Sequence, residues 1–215
     1  MTKSSSTALR IATAISLLLA APASAGSHLW RFNEFYSSPD GSIQFIEMKE
    51  IQGANGEINL TDRWFKTNSY NQDQSQTLGS NLEPPTGWRN FLVGSESYAA
   101  LPGVPQPDYV FPDGFLTPSG DTVVWWFYQT IEIPPGVMPT DGVHSITVVD
   151  PDLPSYSVGV NSPTNLAGDT GTIVIPTGLP SYSGWGLPLG LLLVAVGALS
   201  LAGRRRRQGS PAPGS

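Results

Sequence analysis

Glycine and proline punctuate residues 26–177 at short intervals, and the runs between them are short and rich in β-branched and aromatic side chains. Helical periodicity is almost missing. Runs at 29–35, 43–51, 90–93, 122–133, 144–149, 155–160 and 172–175 predict strands, and strands of this length separated by turn residues read as an antiparallel sandwich or barrel. Pro39-Asp40-Gly41 predicts a hairpin between the first two runs, and Ala54-Asn55-Gly56-Glu57 a second turn. Within the second run, Ile43 and Phe45 share one face while Ile46 and Met48 share the other. That phase break predicts either a bulge or, as favoured here, a central strand covered on both faces. The same reading extends to Val123 through Tyr128, where no polar face exists until Gln129.

The two ends of the chain carry different information. Lys3 and Arg10 precede or flank an apolar stretch at 11–21, and Ala23-Ser24-Ala25 has the small-residue pattern of a signal-peptidase site, so residues 1–25 are expected to be a signal peptide. At the other end, the uncharged stretch from Trp185 to Gly203 would span about 28 Å as a helix, close to a hydrocarbon core of about 30 Å. Arg204, Arg205, Arg206 and Arg207 follow it, and positive charge of this kind stays on the cytoplasmic side. The expected topology is N-out, C-in, with 187–203 as a transmembrane helix in bilayer lipid. Residues 204–215 then form an arginine cluster and a Pro/Gly/Ser-rich stub expected to be disordered in the cytoplasm.

Six of the eleven basic residues lie in those ends, which leaves five against all 17 acidic ones in the middle and a formal charge of about −12 there. Such a balance excludes nucleic acid and an anionic membrane surface as natural partners of this region, because both need a basic footprint. With no cysteine, the domain must stand on packing alone. Its length, roughly 150 residues, suits one domain able to bury a core.

Candidate chemistry is sparse, and no catalytic residue, metal or cofactor is assigned. His28 lies near the start of the expected mature chain, where fraying is expected. His144 and Ser145 are neighbours on a strand and so face opposite ways, which does not make a catalytic dyad. Glu47 and Glu50 are the carboxylates that a hydrolase would use as a pair. Solvated strand faces account for most acids of such a chain, and a hydrolase is kept as the alternative to a binding role. Asp150 and Asp152 sit at a strand end where calcium ligands could gather, although Pro151 and Pro154 make a rigid turn there. Trp125, Trp126, Phe127 and Tyr128, with Trp64 and Trp88, would make either core or a carbohydrate-binding platform, and core is expected. The segment 101–118, with five prolines, is long for a connection and is expected to cover a sheet edge with Tyr109 and Phe111 turned inward.

Two resemblances join these readings. The tail, with Leu179-Pro180-Ser181-Tyr182-Ser183-Gly184-Trp185-Gly186 before an apolar helix and an arginine cluster, resembles bacterial C-terminal sorting signals of the PEP-CTERM and IPTL-CTERM kind. Pro180, Ser183, Trp185 and Gly186 fall on matching positions, while Ser181 and Tyr182 depart from the usual threonine and leucine. The resemblance implies that residues 178–186 are a sorting motif and linker read by a membrane-embedded sorting protease, after signal peptidase has acted at the other end. The protein would then reside in the cell envelope or, once processed, at the surface or in the medium.

The stretch from Arg31 to Glu50 resembles the opening of a bacterial lamin-tail-type domain, with Asn33, Glu34, Phe45, Ile46 and Glu47 matching and Met48 in place of leucine. Asn90 to Ser95 and Phe115 to Trp126 resemble its later strands. That family implies an all-β, immunoglobulin-like antiparallel β-sandwich over 26–177, and a non-catalytic module of surface or secreted proteins. Its ligand is not implied.

Overall fold

A computed structural model describes residues 26–69, 72–151 and 153–175, and these form two β-sheets with a single helical turn. The strands are β1 (Trp30–Ser37), β2 (Gln44–Glu50), β3 (Trp64–Ser69), β4 (Gln72–Thr77), β5 (Asn90–Ser95), β6 (Tyr109–Phe111), β7 (Asp121–Trp125), β8 (Gln129–Ile133), β9 (His144–Asp150) and β10 (Leu153–Val160). The helical turn α1 (Glu96–Ala99) is capped by the Ser95 side chain, which accepts from the Tyr98 N–H at 3.1 Å. The large sheet has the order β10-β9-β1-β2-β5-β6 and the small one β4-β3-β7-β8. Strands enter the sheets two at a time along the chain, and every pair is antiparallel except β5 with β6.

The sheets face each other across an aromatic core. Trp30, Phe32, Phe35, Ile46, Met48 and Phe91 from the large sheet meet Phe65, Val123, Trp125, Ile131 and Ile133 from the small one. Phe65 stacks on Trp125 at 4.7 Å within its own sheet and reaches Phe32 at 6.1 Å and Phe91 at 6.4 Å across the gap. Full burial of each such ring contributes roughly 2–3 kcal/mol, so the contact between the sheets stands on these side chains without any disulfide.

The large sheet is also covered on its other side. Tyr36, Phe45, Leu92, Tyr98 and Ile173 form a second buried cluster, roofed by α1, the 101–108 loop and the 161–175 segment. The expected central strand is therefore β2, whose residues from Gln44 to Met48 are all buried while its register with β5 runs unbroken. The bulge lies next door in β1, where the register shifts between Phe32 and Glu34. Gly94 lets α1 close on β5: a Cβ there would come within 2.5 Å of the Tyr98 ring. Gly41, at φ +75°, makes the β1–β2 turn that Pro39-Asp40-Gly41 announces.

Several expectations are corrected. The 122–133 run is not one covered strand but the β7–β8 hairpin, with Trp126, Phe127 and Tyr128 in its turn. Residues 172–175 join no ladder: the Asn161 side chain brackets Ile173, and the Ile175 N–H donates to the Gly142 carbonyl at 3.0 Å. Strands β3 and β4 fall outside the expected runs. The start of the described chain is not frayed, since the Gly26 N–H donates to the Gly56 carbonyl and the Asn59 N–H to that of Gly26. The 101–118 segment does cover an edge: its β6 pairs with β5, and Phe111 is buried in the core. Among the described residues no helix is long and apolar enough to cross a membrane.

Candidate functional site

Acidic residues were expected on solvated faces, yet Glu34, Glu47, Glu50 and Glu57 are all buried. The β1 bulge explains two of them. With Phe32 opposite Met48 and Glu34 opposite Glu47, Asn33 is the extra residue, and Asn33 and Glu34 are brought onto the same outer face as Glu47. Asn33 Nδ2 donates to Glu47 Oε1 at 2.5 Å, and Asn90 Nδ2 from β5 donates to the same oxygen at 2.9 Å.

The remaining oxygens of the pair receive the chain that lies over them. Glu47 Oε2 accepts the Thr164 N–H at 2.6 Å. Glu34 Oε1 accepts the Ser162 N–H at 2.9 Å and the Ser145 hydroxyl at 2.6 Å, and its Oε2 accepts the Ser162 hydroxyl at 3.0 Å. One step further along, Asp108 Oδ2 accepts both the Leu166 N–H at 3.0 Å and the Leu92 N–H at 2.8 Å. Alternate amides of residues 162–166 thus enter three successive carboxylates, which stand where a neighbouring strand's carbonyls would be. Asn161 secures both ends of this strap, its Nδ2 donating to the Val143 and Ile173 carbonyls and its Oδ1 accepting the Ile173 N–H at 2.7 Å.

Burial, then the charge of Glu34, pushes Glu47 from its ordinary 4.5 up to about 8, against the lowering effect of its hydrogen bonds. Burial also raises Asp108. A carboxyl held near neutrality is what a general acid needs, but each oxygen of Glu47 and Glu34 already faces a donor under the strap. Chemically the group is a latch.

The other candidate residues are dispersed. Glu50 is no partner of Glu47: it accepts the N–H groups of Gln52, Gly53 and Trp88 and so shapes the loop after β2. His144 Nδ1 lies 2.5 Å from Asp141 Oδ2, whereas Ser145 donates to Glu34, so the two neighbours serve different contacts. The N–H groups of His144 and Val143 bring Asp141 down to about 2. His28 lies 3.4 Å from Glu57. Asp150 closes β9 where the β9–β10 register is irregular, and Asp152 lies outside the described residues. Among the described residues no group of three or more His, Cys, Asp or Glu side chains is placed to hold a metal ion.

The aromatic candidates divide. Trp125 is core, Trp126 and Tyr128 are half-buried against it, and Trp88 and Phe127 are exposed. Trp88 lines a surface cleft of about 270 Å³ with Arg89, Asn90 and residues 164–168. The signal peptide, Pro180, Ser183, Trp185, Gly186, the 187–203 span and Arg204 to Arg207 all lie outside the described residues.

Sequence reasoning missed Glu34 as the partner of Glu47, although one signal was present. If β2 is covered on both faces, Glu47 between Ile46 and Met48 must be buried, and a buried carboxylate needs donors. Comparison with known proteins gives no match, whether with family models, curated proteins or solved structures.

Proposed function

We propose that the chain is an exported envelope or cell-surface protein whose 26–177 region is a non-catalytic binding or structural module of the immunoglobulin-like sandwich type. In this reading the C-terminal segment delivers it, with signal peptidase, a membrane-embedded sorting protease and the bilayer around 187–203 as its partners. The observation that carries the non-catalytic part is the latch: both carboxylates of the buried pair bind the chain's own amides and hydroxyls. The residues behind the lamin-tail resemblance, Asn33, Glu34 and Glu47, are the ones that build this latch, which gives that pattern a structural reason.

The test is fractionation of the native host with the full chain tagged in the exposed turn at Pro135-Gly136, followed by assay of the exported protein against polysaccharides and esters. The expected outcome is protein in the envelope or medium without turnover. Turnover that is lost in Glu47→Gln would overturn the reading in favour of a hydrolase, and retention in the cytosol would overturn the export.

A further inference from the structure

The β7–β8 hairpin carries a feature that borders the core and that the latch does not use. Its turn is made without glycine: Trp126 adopts φ +45°, a left-handed conformation that bulky residues rarely take, and donates its N–H to the Trp64 carbonyl at 2.9 Å. This geometry lays the Trp126 ring beside that of Trp64 at 5.3 Å on the outward face of the small sheet. Phe127 stands edge-on to both, 4.9 Å from Trp126 and 5.6 Å from Trp64, and is 80% exposed. Two cations lie over ring faces, and one of them, Arg63, also donates its Nε–H to Ser27 Oγ at 2.9 Å. The Arg63 guanidinium lies 4.8 Å from the Trp126 ring centre and the Lys66 ammonium 4.5 Å from that of Trp64. Among the described residues, neither cation is in an ion pair.

We infer that Trp64, Trp126 and Phe127, with Arg63 and Lys66, form a binding platform for an acidic polysaccharide. The inference rests on the reading of the domain as a binding module and names its ligand class. The exposed ring of Phe127 takes the apolar C–H face of a sugar ring, and the two cations seated on the neighbouring tryptophans meet a uronate carboxylate beside it. In a region with about −12 of formal charge, two cations on a partly exposed aromatic cluster provide local complementarity to an anion, since a Debye length of about 8 Å confines the repulsion from distant acids. A bilayer fits less well, because Phe127 is the one ring of this cluster that protrudes strongly, whereas insertion needs a broad apolar face.

The test uses the full chain in detergent micelles, with tryptophan fluorescence and affinity electrophoresis as readouts. It is titrated with a polyuronate, with a neutral glucan, and with vesicles of phosphatidylethanolamine and phosphatidylglycerol. Expected is polyuronate binding that shifts the fluorescence, weakens with salt, exceeds binding to the glucan, and falls about tenfold or more in Phe127→Ala and in Lys66→Gln. Both side chains are exposed, so neither variant endangers the fold. Polyuronate binding unchanged in both variants, no polyuronate binding, or binding to vesicles alone would each overturn the platform. Release of reducing ends during the titration would instead overturn the non-catalytic reading while leaving the platform in place, so the two failures are distinguishable.

Discussion

Glu34 and Glu47 face each other across the β1–β2 ladder, on the outer side of the large sheet, and between them accept the backbone N–H groups of Ser162 and Thr164. The pair is held together because the strap supplies the donors that water would otherwise supply, and because burial and the charge of Glu34 raise Glu47 to about 8, so that at neutral pH it keeps a proton and the two are not both charged.

A first consequence concerns pH. The folded state keeps a proton on Glu47 that the unfolded chain releases near 4.5, so this contribution to stability is complete below about 4.5 and is lost as pH rises towards 8. Urea denaturation across that window should show stability falling with pH, by at most about 1.4 kcal/mol per pH unit from this group. Glu47→Gln removes the titration, and its stability should change less between pH 5 and 8 than that of the wild type. An equal slope in the variant would show that Glu47 is not the titrating group.

Asn161 is the strap's anchor, fully buried with three short hydrogen bonds to main-chain groups. Asn161→Ala removes both side-chain bonds to the Ile173 main chain, while the Val143 carbonyl keeps the residue 161 N–H, and should cost roughly 2–4 kcal/mol. Hydrogen exchange at the Ile173 amide should accelerate in the same variant, and unchanged exchange would mean that Asn161 is not what holds the segment.

Phe65 and Phe127 make a matched comparison. Phe65→Ala removes the ring that reaches Phe32, Phe91 and Trp125, and should cost about 3–5 kcal/mol. Phe127→Ala, on a ring that is largely solvent-exposed, should change stability by no more than about 0.5 kcal/mol. Denaturation midpoints of the two variants decide it.

What could be read in advance follows from what single letters encode. The alternation around Ile43 to Met48 and the Pro39-Asp40-Gly41 turn announced β1, β2 and the double cover, because burial and turn geometry leave marks in residue type. The β7–β8 hairpin left no such mark, since its positive φ is taken by Trp126 where a glycine or asparagine would ordinarily signal a turn. Strand β4, Gln-Asp-Gln-Ser-Gln-Thr, is a polar edge, and an edge has little apolar pattern to show. The run Thr172 to Ile175 looked like a strand because β-branched residues favour extended backbone, but propensity cannot say that Asn161 would take the place of a ladder. The latch was half legible: a glutamate inside a doubly covered strand demands partners, but those partners come from positions more than a hundred residues away.

The arginines after the apolar tail should fix orientation. Replacing Arg204, Arg205, Arg206 and Arg207 with glutamine is expected to weaken membrane retention and scramble topology in protease-protection assays on spheroplasts. Retention and orientation identical to the wild type would remove the cluster from the targeting signal.

Intact mass spectrometry of the protein in envelope and medium fractions of the native host tests the export and sorting proposal most directly. The expected species begins at Gly26 and ends near the Pro180 to Gly186 motif, without Arg204 to Arg207. A species running from Met1 to Ser215 as the sole form would contradict both the signal peptide and the sorting signal.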